Sequence, residues 1–418
     1  MNKQKTILIL GGSTTVIPLV KRARERNMRV VLAHLIEDSP CAPYVDYHEK
    51  VNTLDIPLCI DIARKHSVDA VATIGADQPL YTASVIAREL NLPSFVDVLV
   101  AKVATNKKEM RKCFEKSGIP VNKTVYITKD MSSSAIESLK LPIVIKPIDS
   151  HGSRGVYKLH SYDEAFEIID TVLVSSFSRE TECLVEEYYG DVELTLDGFM
   201  QDGKFHYLGI RKRNNLENNN KLGFCTSVIS PCLEYKIKTD ELLVLCQAVA
   251  DSLGVSNGPL FMQIFDGPDG FRINEAAARV AGGHDFMVNK DLTGFDVIDA
   301  VLDGALGIRP VVCVKPFGFT RIFSSQMVIA SHGVVSSITD IKEINQLPFI
   351  FFAEYYCKVG ESLGQNEENF TKVAYVCIEG NSKSDLEQNV SSFYDIFKIN
   401  DSNGANLVIR GSIHSLQL

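Results

Sequence analysis

Between residues 6 and 93 the chain repeats one rhythm, a short apolar run followed by an amphipathic stretch of helical length. The runs TILIL from Thr6, RVVLAH from Arg29 and DAVATIG from Asp69 alternate with TVIPLVKRARERN from Thr15, LCIDIARKH from Leu58 and PLYTASVIARELN from Pro79. A strand that is apolar on both faces must be covered on both faces. The rhythm therefore predicts a doubly wound parallel α/β domain.

The opening MNKQK and the apolar run behind it superficially resemble a secretion signal. There is no small-residue cleavage site, and Gly11-Gly12-Ser13 interrupts the apolar stretch, so the segment reads as strand, turn and helix. No apolar run approaches the ~18 residues of a membrane span. The ten cysteines form no CxxC pair and no metal-ligand ladder, as expected for reduced thiols in a cytoplasmic protein. A net charge of −9 argues against a general binder of nucleic acid or anionic membranes and leaves small anionic ligands open.

Across 418 residues, too many for one core, the sequence divides into 1–105, 106–190, 191–312 and a strand-rich 313–418. Within the second segment a helix is expected from about Lys107 to Lys116, stopped by Gly118 with Pro120 beyond. The Asn-rich run at 213–221 reads as a mobile polar loop.

Dinucleotide and P-loop fingerprints fail. From Gly11 the spacing G-x-G-x-x-G meets Ser13 and Val16, and the one Gly-Lys pair, Gly203-Lys204, precedes Phe205. Serine-hydrolase and zincin readings find no support.

A different set remains. The strand-like run Ile143–Ile145 ends at Lys146-Pro147. Behind it Ser150, Gly152, Ser153 and Gly155 have side chains small enough for backbone N–H groups to approach an anion, with Arg154 as an added cation. Further on, FMQIFDGPDGFRINEAAARVAGG from Phe261 reads as two strands joined by a Gly-Pro-Asp-Gly turn, with Gln263 and Glu275 on one shared face and Arg279 four residues later.

In order and spacing this set resembles the ATP-grasp superfamily of carboxylate–amine ligases, from the N-terminus to about residue 310. The resemblance implies a pre-ATP-grasp α/β domain, a two-lobed grasp fold and a strand-rich C-terminal domain similar to that of the L-amino acid ligase branch. It implies that Lys107 and Lys146 contact phosphates under a lid formed by Ser150 to Gly155. In VEEYYGDVE it sets Glu186 near the adenine amino group, the backbone of Glu187, Tyr188 and Tyr189 along the adenine edge, and Glu193 on the ribose hydroxyls. Gln263 and Glu275 match the magnesium ligands, although E-A-A-A-R replaces the usual E-x-N-x-R and leaves Ala277 where an asparagine would add an oxygen. A glutamine at the first of these positions also occurs in carbamoyl-phosphate synthetases. Arg279 is expected to act in catalysis with Lys146 and to touch substrate together with Gly282, Gly283 and His284. Its structural alternative is a pair with Asp285.

The implied cofactors are ATP and Mg2+, with Mn2+ as a substitute. The implied partners are a small carboxylate and an amine, with a homodimer left open. Chemistry supports these residue types, because a carboxylate is a poor electrophile until ATP converts it to an acyl phosphate, and cations and a metal must then manage the phosphate charge. The alternatives are a purine-biosynthesis or carbamoyl-phosphate-synthetase-like enzyme of the same superfamily, and a nucleotide-binding protein without catalysis.

Overall fold

The computed structural model describes residues 4–149, 155–176, 181–190, 192–216, 222–235, 238–315, 321–364 and 370–414. Four parallel strands, β1 (Thr6–Leu10), β2 (Arg29–Ala33), β3 (Tyr47–Glu49) and β4 (Ala70–Ala72), form the first sheet in the order β3-β2-β1-β4. Side chains alternate across each strand. Ile7 and Ile9 thus join the core beneath helix Ile17–Glu25, while Leu8 and Leu10 join the core beneath helices Ile56–Lys65 and Gln78–Glu89. This is the expected doubly wound arrangement. Gly12 serves packing here. A Cβ at that position would lie 2.4 Å from Ser39 Oγ, which instead donates to the Gly12 carbonyl.

The basic run in helix Ile17–Glu25 docks this domain. Arg22 pairs with Asp296 at 3.1 Å and with Asp299, and Arg26 pairs with Asp303 at 2.6 Å. These carboxylates lie at the start and along one face of helix Val297–Ala305, spaced by three and four residues as a single helical stripe requires.

A second, antiparallel sheet follows, built from β5 (Thr124–Ile127), β6 (Ile143–Pro147), β7 (Tyr157–Leu159) and β8 (Cys183–Glu187) in the order β5-β8-β6-β7. The predicted helix Lys107–Lys116 leads into it. The Asn106 side chain caps it by accepting from Glu109 N, and Met110, Arg111 and Phe114 are buried along one face.

Among the described residues the largest sheet has nine strands. It contains β9 (Val192–Gln201), β10 (Lys204–Asn215), β11 (Cys225–Ser230), β12 (Gly258–Gly267), β13 (Gly270–Ala277) and β14 (Ile322–Ser331), in the order β13-β12-β9-β10-β11-β14, continued by strands Phe370–Gly380 and Ile350–Tyr355, with the short strand Val408–Ile409 also paired to β14. It therefore runs without a break from the metal-candidate hairpin into the C-terminal segment, which adds its own core under helix Lys383–Ile396.

Two sequence expectations need correction. Arg213 to Asn215 belong to β10 and do not form a loop. Arg213 pairs with Glu193 at 3.3 Å, and Asn214 donates to Ser227 Oγ and the Ile413 carbonyl, so tertiary partners extend the strand through residues of turn-like type. The rest of that run, 217–221, lies outside the described residues. A serine-hydrolase spacing does exist, Gly254-Val255-Ser256-Asn257-Gly258, but it joins helix Thr239–Leu253 to β12. A nucleophile elbow turns from strand to helix, so the dismissal of that chemistry stands on topology. Among the described residues no helix is long and apolar enough to cross a membrane.

Candidate active site

The second sheet and the nine-stranded sheet face each other across a cleft. Along β6, Ile143 and Ile145 enter the core, so the two-residue period turns Val144 and Lys146 toward the cleft. In β8, Glu186 sits opposite Val144 by the same logic, diagonal to Lys146. Lys146 Nζ lies 2.6 Å from Glu186 Oε1 and 3.0 Å from Asn274 Oδ1, while Glu186 Oε2 lies 2.8 Å from Arg111 Nη2. Arg111 is itself fixed through its bond to the Ile273 carbonyl. Two buried cations thus share one carboxylate. Burial works to raise the Glu186 pKa, but the charges of Lys146 and Arg111 outweigh it and hold the group below its usual value. Lys146 is pulled down, first by burial and then by Arg111, against the support of Glu186.

On the opposite wall, Gln263 in β12 pairs directly with Glu275 in β13, and the register slips between Gln263 and Ile264. Two residues, Asn274 and Glu275, therefore occupy the place of one, and both line the cleft, where strict alternation would have sent Asn274 to the other face. Asn274 Nδ2 donates to Gln263 Oε1 at 3.2 Å, and Lys107 Nζ stands 3.6 Å from Glu275 Oε2. An amide oxygen and a carboxylate are the donor types Mg2+ takes. Their cross-strand position, beside two lysines suited to phosphate, fits such an ion. Among the described residues no group of three or more His, Cys, Asp or Glu gathers for a metal, so this pair would need oxygens from substrate and water to complete a shell.

At the cleft's inner end Glu193 accepts from Asn215 Nδ2 at 2.8 Å and faces Arg213 Nε at 3.3 Å. Tyr189 is pinned. Its hydroxyl donates to the Gly270 carbonyl at 2.7 Å, accepts from Asp269 N, and its ring carries the Arg272 guanidinium 3.7 Å from its centre. Glu187 and Tyr188 line the same cleft, but the Glu187 N–H donates to the Lys123 carbonyl and the Tyr188 N–H to the Pro142 carbonyl. The Glu187 carboxylate turns away to accept from Lys140 N. The cleft holds a space of about 170 Å3.

Lys107, Lys146, Glu186, Glu187, Tyr188, Tyr189, Glu193, Gln263 and Glu275 all line this one cleft. Ser150, Gly152, Ser153 and Arg154 lie outside the described residues. Gly155 adopts φ +70° and packs so tightly that a Cβ there would lie 2.8 Å from Ser175.

The proposed substrate residues lie elsewhere. Arg279 does not line this cleft and does not pair with Asp285. Its Nε donates to Asp77 Oδ1 at 2.7 Å, across to the N-terminal domain, while Asp285 accepts from Ser325 Oγ and the Tyr375 hydroxyl. Gly282 and Gly283 border a second cavity of about 870 Å3, walled by Ser13 to Thr15, Glu354, Tyr356, Lys372 and Tyr375. His284 is beside it, with Nε2 2.9 Å from Glu354 Oε2 but without hydrogen-bond geometry. Burial pulls the Lys372 pKa down.

Sequence reasoning missed Asn274, Arg111, Arg213, Glu354 and Lys372. Only Asn274 left a signal, as a polar residue in a strand beside a singled-out glutamate.

An ATP-grasp domain model matches residues 139–285. Dapdiamide A synthase from Enterobacter agglomerans is 24% identical over 168 residues, 40% of this chain and 39% of that protein, so the match covers well under half of this curated relative. A crystal structure of L-amino acid ligase from Bacillus licheniformis superposes with a TM-score of 0.81 at 17% identity, covering 96% of this chain and 100% of that one. Phosphoribosylglycinamide synthetase from Anaerococcus prevotii gives 0.75 at 15% identity, over 96% and 100%. At such identities the likeness establishes the fold, and it does not choose between these chemistries.

Proposed function

We propose, from the match of residues 139–285 to an ATP-grasp domain model, that the protein is an ATP- and Mg2+-dependent ligase that activates an amino acid carboxylate as an acyl phosphate and joins it to an amine. The observation that carries this reading is the meeting of Lys107, Lys146, Gln263 and Glu275 in one cleft between the two sheets. There, two ammonium groups face an amide oxygen and a carboxylate, which is the charge layout a metal–triphosphate complex needs.

In this reading Lys107 and Lys146 hold the transferring phosphate, and Glu193 takes the ribose hydroxyls. Gln263 and Glu275 would hold a Mg2+ ion, which would supply neutralising charge for the phosphates. The substrate carboxylate oxygen bonds to the γ-phosphorus as the bond to ADP breaks. The amine nitrogen then bonds to the acyl carbon, the bond from that carbon to the phosphate oxygen breaks, and the nitrogen gives up its proton to the departing phosphate. Arg279, held through Nε by Asp77, would meet a phosphoryl or carboxylate group with its remaining donors.

One specific observation favours an amino acid over a phosphosugar. The second cavity presents an acid, Glu354, and a base, Lys372. A zwitterion matches both charges, whereas the phosphate of a phosphorylated sugar answers only Lys372. The test is a pairwise screen of amino acids for release of ADP and phosphate. Turnover with amino acid pairs supports the reading, and turnover with a phosphoribosylamine instead would replace it.

A further inference from the structure

The unexplained part of the cleft is Asn274. It is not a position at which the resemblance implied a function, yet a β-bulge turns it into the site, where it touches both a lysine and the first metal candidate.

The orientation of its amide is fixed by chemistry. Lys146 is a donor only, so the atom of Asn274 that faces it at 3.0 Å must be the oxygen. The Asn274 NH2 then faces Gln263, and at 3.2 Å it can be satisfied only by the Gln263 oxygen. A glutamine amide, unlike a carboxylate, has a wrong end. Turned over, Gln263 would offer an NH2 group to a cation and repel it. A carbonyl oxygen has two lone pairs, so Gln263 Oε1 can accept from Asn274 and still serve a metal.

We propose that Asn274 is a positioning residue that locks the Gln263 amide with its oxygen toward the metal, and so makes a glutamine workable where a carboxylate would need no such help. The inference rests on the reading of Gln263 and Glu275 as metal ligands. It adds a chain of three groups, Lys146 to Asn274 to Gln263, through which the phosphate-binding lysine and the metal site share one hydrogen-bond network. Partners that orient metal ligands typically change affinity by roughly 10- to 100-fold.

The test is calorimetric titration of Mn2+ into protein saturated with a non-hydrolysable ATP analogue, with circular dichroism and thermal melting to verify folding. Asn274→Leu, of similar size, removes both bonds without adding charge. It should weaken Mn2+ by about 10-fold or more, because the Gln263 amide is then free to turn its NH2 toward the ion. Gln263→Glu abolishes the wrong end, so Asn274→Ala should weaken Mn2+ by at least 10-fold in the native background and by less than threefold in the Gln263→Glu background. An equal loss in both backgrounds, or no loss in either, overturns the proposal. Failure of the unaltered protein to bind Mn2+ with the analogue would instead overturn the metal reading on which it rests.

Discussion

Lys146 and Glu186 form a buried ion pair, Nζ to Oε1 at 2.6 Å, in which the carboxylate is shared with Arg111 and the lysine is left with less than a full counter-charge. Burial has already lowered the Lys146 pKa. A lysine must be protonated to offset phosphate charge, so kcat/KM for ATP should fall on the alkaline side with a pKa below the ordinary lysine value of ~10.4. Glu186 raises that pKa, so Glu186→Gln should move the fall to lower pH. A pH profile of the two proteins checks this, and an unchanged or upward-shifted limb would separate Lys146 from phosphate binding.

Glu275 supplies the only full negative charge of the proposed metal pair. Glu275→Ala should reduce substrate-dependent ADP formation by ~10²-fold or more. Its melting temperature should move little, because the side chain is partly exposed and its ion pair with Lys107 is loose at 3.6 Å. Steady-state kinetics beside a melt would reveal the split.

Gly267 abuts the ring of Tyr189, where an added Cβ would lie 2.6 Å from ring carbons. Gly267→Ala must push Tyr189 off its contacts with Gly270, Asp269 and Arg272. Such overpacking costs about 1–3 kcal/mol, and the KM for ATP should rise because Tyr189 borders the cleft proposed to take the nucleotide. Denaturant unfolding together with ATP kinetics would show both effects.

If Glu354 and Lys372 read the two charges of an amino acid, Glu354→Gln and Lys372→Met should each raise the KM for the amino acid by roughly tenfold or more, as loss of a charge-assisted contact does. Nucleotide affinity, measured separately by fluorescence titration, should stay within twofold. Equal losses of both affinities would point to damage to the fold.

Much of the fold was legible in the chain, for identifiable reasons. Apolar runs such as Ile7 to Leu10 feed two cores, so their pattern announces helices on both faces. The helix Lys107–Lys116 carries its own cap, Asn106, and its own stop. Within the site, Lys146 and the Gln263–Glu275 pair follow from strand ends and a hairpin turn, which are local features. What stayed hidden depends on distance or on irregularity. Arg279 finds Asp77 from 202 positions away, Glu354 and Lys372 reach their cavity only through sheet pairing, and the bulge that exposes Asn274 breaks the period on which strand reading relies. Arg213 to Asn215 read as a loop because their strand is held by tertiary partners against their own turn preference.

The central claim is that a carboxylate is activated as an acyl phosphate before amide formation. Incubation of the protein with ATP, Mg2+, an amine and an amino acid labelled with oxygen-18 in its carboxylate tests it directly. Transfer of the carboxylate oxygen to phosphorus predicts one labelled oxygen in inorganic phosphate, with ADP as the nucleotide product. Label in AMP, with pyrophosphate released, would contradict the account.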